Sequence, residues 1–228
     1  MEDKGPTLLD AIRSAAPAGL ELRIFAGMCH NDYKEAGEEL IEECLTWDGL
    51  DGIDLHGQEY IPVEPWTADV WERARQAGKY TKAHAGEFMG ADFVDLILND
   101  LKAQRIEHGV RSIENPKTVQ RLVDENITLD VCPISNLKLA VDGVTSMAAH
   151  PIRKLFDAGV SVTINSDDPF FFGNRLSEEY YALHQDLGFS LNELTKIAGN
   201  GFDVALVDEK TRQGFKDDLA SYCSDQEL

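Results

Sequence analysis

Cysteine is scarce and unpatterned in this chain. The four residues, Cys29, Cys44, Cys132 and Cys223, never stand in CxxC spacing. That excludes a disulfide scaffold and a cysteine-ligated zinc site, and it points to a reducing cytoplasmic setting. Long apolar runs are missing: none approaches the ~20 residues of a membrane helix. Met1-Glu2-Asp3-Lys4 lacks the basic and apolar regions of a secretory signal. Basic charge is also short. With 41 acidic and 21 basic residues the formal net charge is −20, a surface that repels phosphate backbones and anionic lipid. Neither nucleic acid nor membrane is therefore expected as a partner, and the charge itself serves solubility. No GxGxxG or P-loop stands at any strand–helix turn, which removes the commonest nucleotide-binding sheets. Internal repeats and low-complexity linkers are absent too.

What remains is an ordinary globular composition, 43% hydrophobic over 228 residues, enough for one substantial core. With no clear boundary, one domain over residues 1–228 is expected. Strand-like runs lie at Leu22 to Ala26, Gly52 to Leu55, Tyr80 to Ala83, Arg105 to Glu107, Thr128 to Val131 and Val160 to Asn165. Helical stretches fall between them, near 35–46, 67–77, 91–102, 116–125 and 148–157. Asn115 can cap a helix with Pro116 at its first position, and His150-Pro151 offers a similar entry. Gly78 and Gly159 suit left-handed helix ends. Phe93, Val94, Ile97, Leu98 and Leu101 recur at helical spacing and should face a core. Past Pro169 the strands stop, and Ser190-Leu191-Asn192-Glu193 reads as a capping box. This α/β alternation implies a parallel sheet, either open and doubly wound or closed into a barrel. Polar groups at many successive strand ends favour the barrel, where every β→α loop contributes to one site.

Those ends carry the chemistry. One strand closes on His84-Ala85-Gly86-Glu87, another on His108-Gly109, a third on Asp167-Asp168-Pro169. His, Glu and Asp are the ingredients of a metal-assisted hydrolase. Each also has a plain structural alternative. His84 can be a strand-end histidine bonded to a carbonyl, and His108 a buried structural one. Asp167-Asp168 can be a helix cap, although Pro169 holds Asp168 extended so that the two carboxylates diverge. Gly57 permits close backbone approach of a ligand, and turns use glycine as well. Spacing assigns no role to His30, His56, His150 or His184.

His84-Ala85-Gly86-Glu87, Arg105-Ile106-Glu107-His108-Gly109, Val131-Cys132-Pro133-Ile134-Ser135-Asn136 and Ile164-Asn165-Ser166-Asp167-Asp168-Pro169 together resemble the adenosine/adenine deaminase family in order and spacing. Gly52-Ile53-Asp54-Leu55-His56-Gly57-Gln58-Glu59 resembles its glycine-bearing strand end. The resemblance runs from about residue 20 to 205. It implies a TIM (β/α)8-type barrel, one zinc ion per site, and hydrolytic deamination of a small purine. On this resemblance His84 is a zinc ligand, and Asp167 a second ligand that also orients the attacking water. His108 accepts the proton of that water, and Glu87 protonates the purine ring nitrogen. Asp168 accepts a hydrogen bond from the imidazole side of the base, and Gly57 meets it through its backbone. The adenine branch is the closer one, from Val131 to Leu139 and from Phe170-Phe171-Phe172-Gly173 after the aspartates.

The chain departs from the family at one point. The family's His-x-His pair of zinc ligands occurs nowhere in the sequence, and the strands number about six where the barrel has eight. An incomplete barrel, N-terminally truncated relative to the family, is the expectation. Only His84 and Asp167 of the implied ligands remain, where catalytic zinc ordinarily takes three from the protein. The alternatives are one piece of a split deaminase, completed by another chain or by self-association, and a non-catalytic ligand- or partner-binding relative. A metal-dependent phosphoesterase would put basic residues at the strand ends, and these are mainly acidic or histidine.

Overall fold

A computed structural model describes residues 4–31 and 38–226. Six strands form one sheet in chain order: β1 (Phe25–Cys29), β2 (Gly52–His56), β3 (Tyr80–Ala85), β4 (Arg105–His108), β5 (Thr128–Val131) and β6 (Val162–Ile164). The pairs β1–β2, β2–β3 and β5–β6 run parallel. A doubly wound sheet reverses its strand order at a switch point. Here each strand neighbours the next without reversal, the winding of a (β/α) barrel, so the choice left open by the pattern falls to a six-stranded, partial barrel.

The helices are α1 (Lys4–Ala15), α2 (Glu38–Cys44), α3 (Pro65–Gln76), α4 (Ala91–Asp100), α5 (Pro116–Asp124), α6 (Pro133–Lys138), α7 (Ile152–Asp157), α8 (Pro169–Phe172), α9 (Leu176–Leu187), α10 (Leu191–Asp203) and α11 (Glu209–Asp225). No helix among the described residues is long and apolar enough to cross a membrane. The chain falls into two compact units, residues 1–84 with 96–105 and residues 85–95 with 106–228. In the first, Ile53, Leu55, Val70, Trp71 and Ala83 are fully buried, and Trp71 Nε1 donates to the Lys82 carbonyl at 3.0 Å. In the second, Ile106, Leu122, Leu129, Val131, Leu155 and Val162 are fully buried. Phe189 meets Phe156 edge to face at 5.4 Å.

Local chemistry accounts for most boundaries. Asn115 caps α5, accepting from Lys117 N at 3.0 Å with Pro116 at the first helical position. Ser190 and Glu193 form the capping box of α10. Gly78 and Gly159 are left-handed at φ 76° and 91°. Val94, Ile97 and Leu101 are fully buried, as their spacing predicts, and Phe93 is half-buried.

Four elements differ from the sequence reading. The first strand begins at Phe25, not Leu22, because Ile24 bonds to Asp51 instead of a ladder. Ile24 N donates to Asp51 Oδ2 at 2.7 Å, and its carbonyl accepts from Asp51 N. Pro151 is the N-cap of α7, and the entry is made by His150, whose Nδ1 accepts from Ile152 N at 3.2 Å. Helices α1 and α6 are additions, and α6 opens directly on Pro133, which suits a first helical position. Residues 35–37 of the expected second helix lie outside the described residues.

Candidate active site

In the first unit, Gly57 directly follows β2, and His84 stands near the end of β3. Gly57 is left-handed at φ 98°, so a side chain there is strained. One ring nitrogen of His84 has two partners: Nδ1 lies 3.1 Å from Asp54 Oδ2 and 3.2 Å from the Leu55 carbonyl. The carbonyl contact is the plain structural alternative, and it is realised. The carboxylate contact adds something else. A carboxylate on one imidazole nitrogen fixes the tautomer and raises the basicity of the other, as for histidines that ligate metals. Any metal would therefore take Nε2. Asp54 lies in the glycine-bearing strand end, where the pattern assigns it no role, and its Oδ1 is buried without a partner among the described residues.

The second unit holds Glu87, His108, Asp167 and Asp168. Glu87 follows β3 and His108 ends β4, and backbone bonds tie the two loops together. Gly109 N donates to the Ala85 carbonyl at 3.0 Å and Arg111 N to the Gly86 carbonyl at 2.8 Å. Glu87 and His108 are 6% and 2% exposed, with His108 Nδ1 3.5 Å from Glu87 Oε1. Between them sits Asn136 of α6, fully buried, whose Nδ2 donates to Glu87 Oε1 at 3.0 Å and meets His108 Nδ1 at 3.2 Å. His108 and Asp167 are themselves left-handed, at φ 61° and 56°, a conformation that non-glycine residues adopt mainly where the surroundings enforce it.

Ligand atoms of His108, Cys132 and Asp167 lie within 4.8 Å of one another. Imidazole, thiol and carboxylate are the donor types zinc takes, so these residues fit a divalent metal. Burial, with Asp167 and Glu179 nearby, pushes the Cys132 thiol well above its ordinary range, which makes His108 and Asp167 the readier donors. Asp167 Oδ2 also accepts from Ser135 Oγ at 2.6 Å. Asp168 caps α8, its Oδ1 accepting from Phe170 N and Phe171 N, both at 3.2 Å. The helix-cap alternative thus holds for Asp168. Its backbone at φ −105°, ψ 89° avoids the helical region, as the following proline favours, but falls short of the extended conformation expected from the sequence.

Glu179 of α9 gave no signal in the sequence, yet it is fully buried and braces this rim. Oε2 accepts from Ile134 N at 3.0 Å and Oε1 from Asn174 Nδ2 at 2.6 Å. Asn174 Nδ2 in turn reaches the Ser166 carbonyl at 3.3 Å. Burial lifts the Glu179 carboxyl from 4.5 to about 7. Between those values the folded state keeps a proton that the unfolded state has released, so stability falls as pH rises through the window, by about 3 kcal/mol. His150, 2% exposed, does the opposite. Burial lowers it from 6.5 to about 4, so stability is lost as pH falls through that range, again by about 3 kcal/mol. The two effects oppose each other from pH 6.5 to 4.5 in the wild type. Glu179→Gln leaves only the His150 effect, so its unfolding free energy should drop about 3 kcal/mol over that interval while the wild-type value stays nearly level. Urea titrations at each pH measure this, and parallel curves for the two proteins would refute it.

Comparisons with known proteins show what this chain resembles. The adenosine deaminase family profile matches residues 5–222. The adenine deaminase of Acinetobacter baylyi is 44% identical over 187 residues, 82% of this chain and 56% of that protein. The adenine deaminase of Pseudomonas syringae pv. tomato is 46% identical over 175 residues, 76% of this chain and 55% of that protein. Among solved structures, the adenine deaminase of Arthrobacter aurescens superposes with TM-score 0.81 at 29% identity, covering 89% of this chain and 62% of its own. A zinc-bound amidohydrolase from Burkholderia ambifaria gives TM-score 0.83 at 27% identity, covering 94% and 60%. This chain spans about half the length of the curated relatives it matches.

Proposed function

The chain belongs to the adenosine deaminase family, and on that premise we propose that it carries the proton-handling part of a hydrolytic purine deaminase, with adenine as substrate. The observation that carries this reading is the buried meeting of Glu87 and His108, 3.5 Å apart, with Asp167 in reach of the same histidine. In the reaction water adds at the amine-bearing ring carbon, that carbon–nitrogen bond breaks, and ammonia leaves with an oxo-purine. A zinc ion, when bound, supplies the acidity that makes water a nucleophile near neutral pH. By the family resemblance, His84 through Nε2 and Asp167 through its carboxylate would each offer it a ligand.

The remaining steps fall to side chains. Glu87 delivers a proton to the ring nitrogen next to the reacting carbon, so that the ring can accept the incoming oxygen. His108 and Asp167 orient the water and handle its proton. Asp168 receives the imidazole-side N–H of the base, and the Gly57 backbone packs against it. The β→α rim carries mainly acidic and histidine side chains, which suits a neutral base better than a phosphate ester.

His84 and Asp167 are two ligands where three are usual, so the proposal includes a complementing His-x-His segment. The test is to prepare the chain alone and with such a segment, taken from the Acinetobacter baylyi enzyme, and to measure zinc content and ammonia release. Expected are weak zinc binding alone, near one zinc in the complex, and faster release from adenine than from adenosine. No zinc and no ammonia in the complex, or a clear preference for adenosine, would overturn the reading.

A further inference from the structure

The proposed chemistry gives Asp167 two tasks, yet Asp167 is exposed and its backbone stands in the left-handed region, at φ 56°. A non-glycine residue persists there only where its surroundings hold it. Asp167 is held from two sides. On one, Ser135 Oγ donates to its Oδ2 at 2.6 Å. On the other, the carbonyl of Ser166, the residue just before it, accepts from Asn174 Nδ2 at 3.3 Å. Both sides lead back to one buried carboxylate. Ile134, beside Ser135 in the first turn of α6, has an N–H with no acceptor in its own helix, and it donates to Glu179 Oε2 at 3.0 Å. Glu179 Oε1 accepts from Asn174 Nδ2 at 2.6 Å. The Asn174 amide can face only one way, because Glu179 Oε1 and the Ser166 carbonyl both accept. Its NH2 end meets them with one hydrogen each. Its Oδ1 is left buried without a partner among the described residues.

We propose that Glu179, acting through Asn174 and α6, is a positioning residue that holds Asp167 in its left-handed conformation and sets the direction of its carboxylate. Burial gives the clasp its stiffness: Glu179 and Ser135 are fully buried and Asn174 is 4% exposed, so water cannot substitute for any of these bonds. A carboxylate suits the task because it accepts from both N–H groups at once, which an amide or a hydroxyl in its place cannot do. The arrangement is that of the ionised form, which prevails at about pH 8, since burial lifts Glu179 only to about 7. The catalytic weight of the clasp rests on the deaminase reading above; the conformation of Asp167 does not.

One-bond Cα–Hα couplings in the full 228-residue chain, measured at about pH 8 without metal, report the sign of φ at Asp167. The wild type should show a positive φ. Asn174→Ala removes the donor to Ser166, and Asp167 should shift to negative φ. Glu179→Gln presents an NH2 group where Oε1 stood, so the Asn174 amide turns its oxygen inward, Ser166 loses its donor, and the same shift should follow. Leu155→Ala, in the fully buried core of α7, lowers stability without touching the clasp and should leave Asp167 positive. If Glu179→Gln does not fold, Asn174→Ala decides. A positive φ kept in Asn174→Ala, or lost in Leu155→Ala as well, would overturn the proposal. In the complemented deaminase Asn174→Ala and Glu179→Gln should each lower kcat and zinc affinity about 10–100-fold. KM for adenine should stay within a few fold, and Leu155→Ala should change none of these. A shifted φ with wild-type kcat and zinc affinity would also overturn the positioning role. The expected shifts in φ with no turnover in any protein, wild type included, would support the hold on Asp167 and count against the deaminase reading alone.

Discussion

Glu87→Gln should lower ammonia release from adenine in the complemented enzyme by about 10²–10⁴-fold, the usual contribution of a placed proton donor. The substitution is close to isosteric, and the amide oxygen can still accept from Asn136 Nδ2, now 3.0 Å from Glu87 Oε1. Nothing else in the site changes shape. What disappears is the proton that the purine ring nitrogen must receive before the ring accepts the nucleophile. Adenine affinity should stay within a few fold, since the loss falls on the transition state and not on ground-state binding. Calorimetric titration with adenine, together with a coupled ammonia assay, separates these effects. Retention of more than a tenth of the activity would show that another group supplies the proton.

Gly109→Ala should destabilise the chain by about 3 kcal/mol, combining left-handed strain with overpacking. Gly109 sits at φ 66°, and a Cβ there would lie 2.5 Å from Leu129 Cδ2 and 2.9 Å from Cδ1. Leu129 has no exposed surface and lies within the fully buried strand β5, so it has little room to turn away. For a chain of this size the loss should lower Tm by roughly 6–12 °C. The effect reaches the site through the chain itself. Gly109 follows His108, and its N–H to the Ala85 carbonyl at 3.0 Å holds the β4 loop against the loop that carries Glu87. An unchanged melting temperature would mean that Leu129 repacks freely, which a fully buried strand residue should not do.

Much of this protein was legible before any coordinates. Each expected strand is present, because short β-branched and apolar runs of three to six residues bounded by turns have few other uses in an α/β chain. The Asn115 and Ser190 caps and the left-handed Gly78 and Gly159 followed from local chemistry, which acts within three or four residues. The first strand slipped because Asp51, 27 residues away, occupies the backbone of Ile24. His150 drew no role from spacing because its partner Asn136 lies 14 residues back, in no periodic relation to it. Glu179 was silent for the same reason: Ile134 N lies 45 residues before it.

The sequence by itself determined the alternation of strands and helices, the acidic and histidine-bearing strand ends, and the family those motifs resemble. These are consequences of short-range sterics, capping and composition, and they are written in consecutive residues. Tertiary structure alone decided that the sheet is singly wound and that Asn136 spans 49 residues of sequence to reach Glu87. A buried polar group must find its partner wherever packing brings one, and that choice belongs to the folded core.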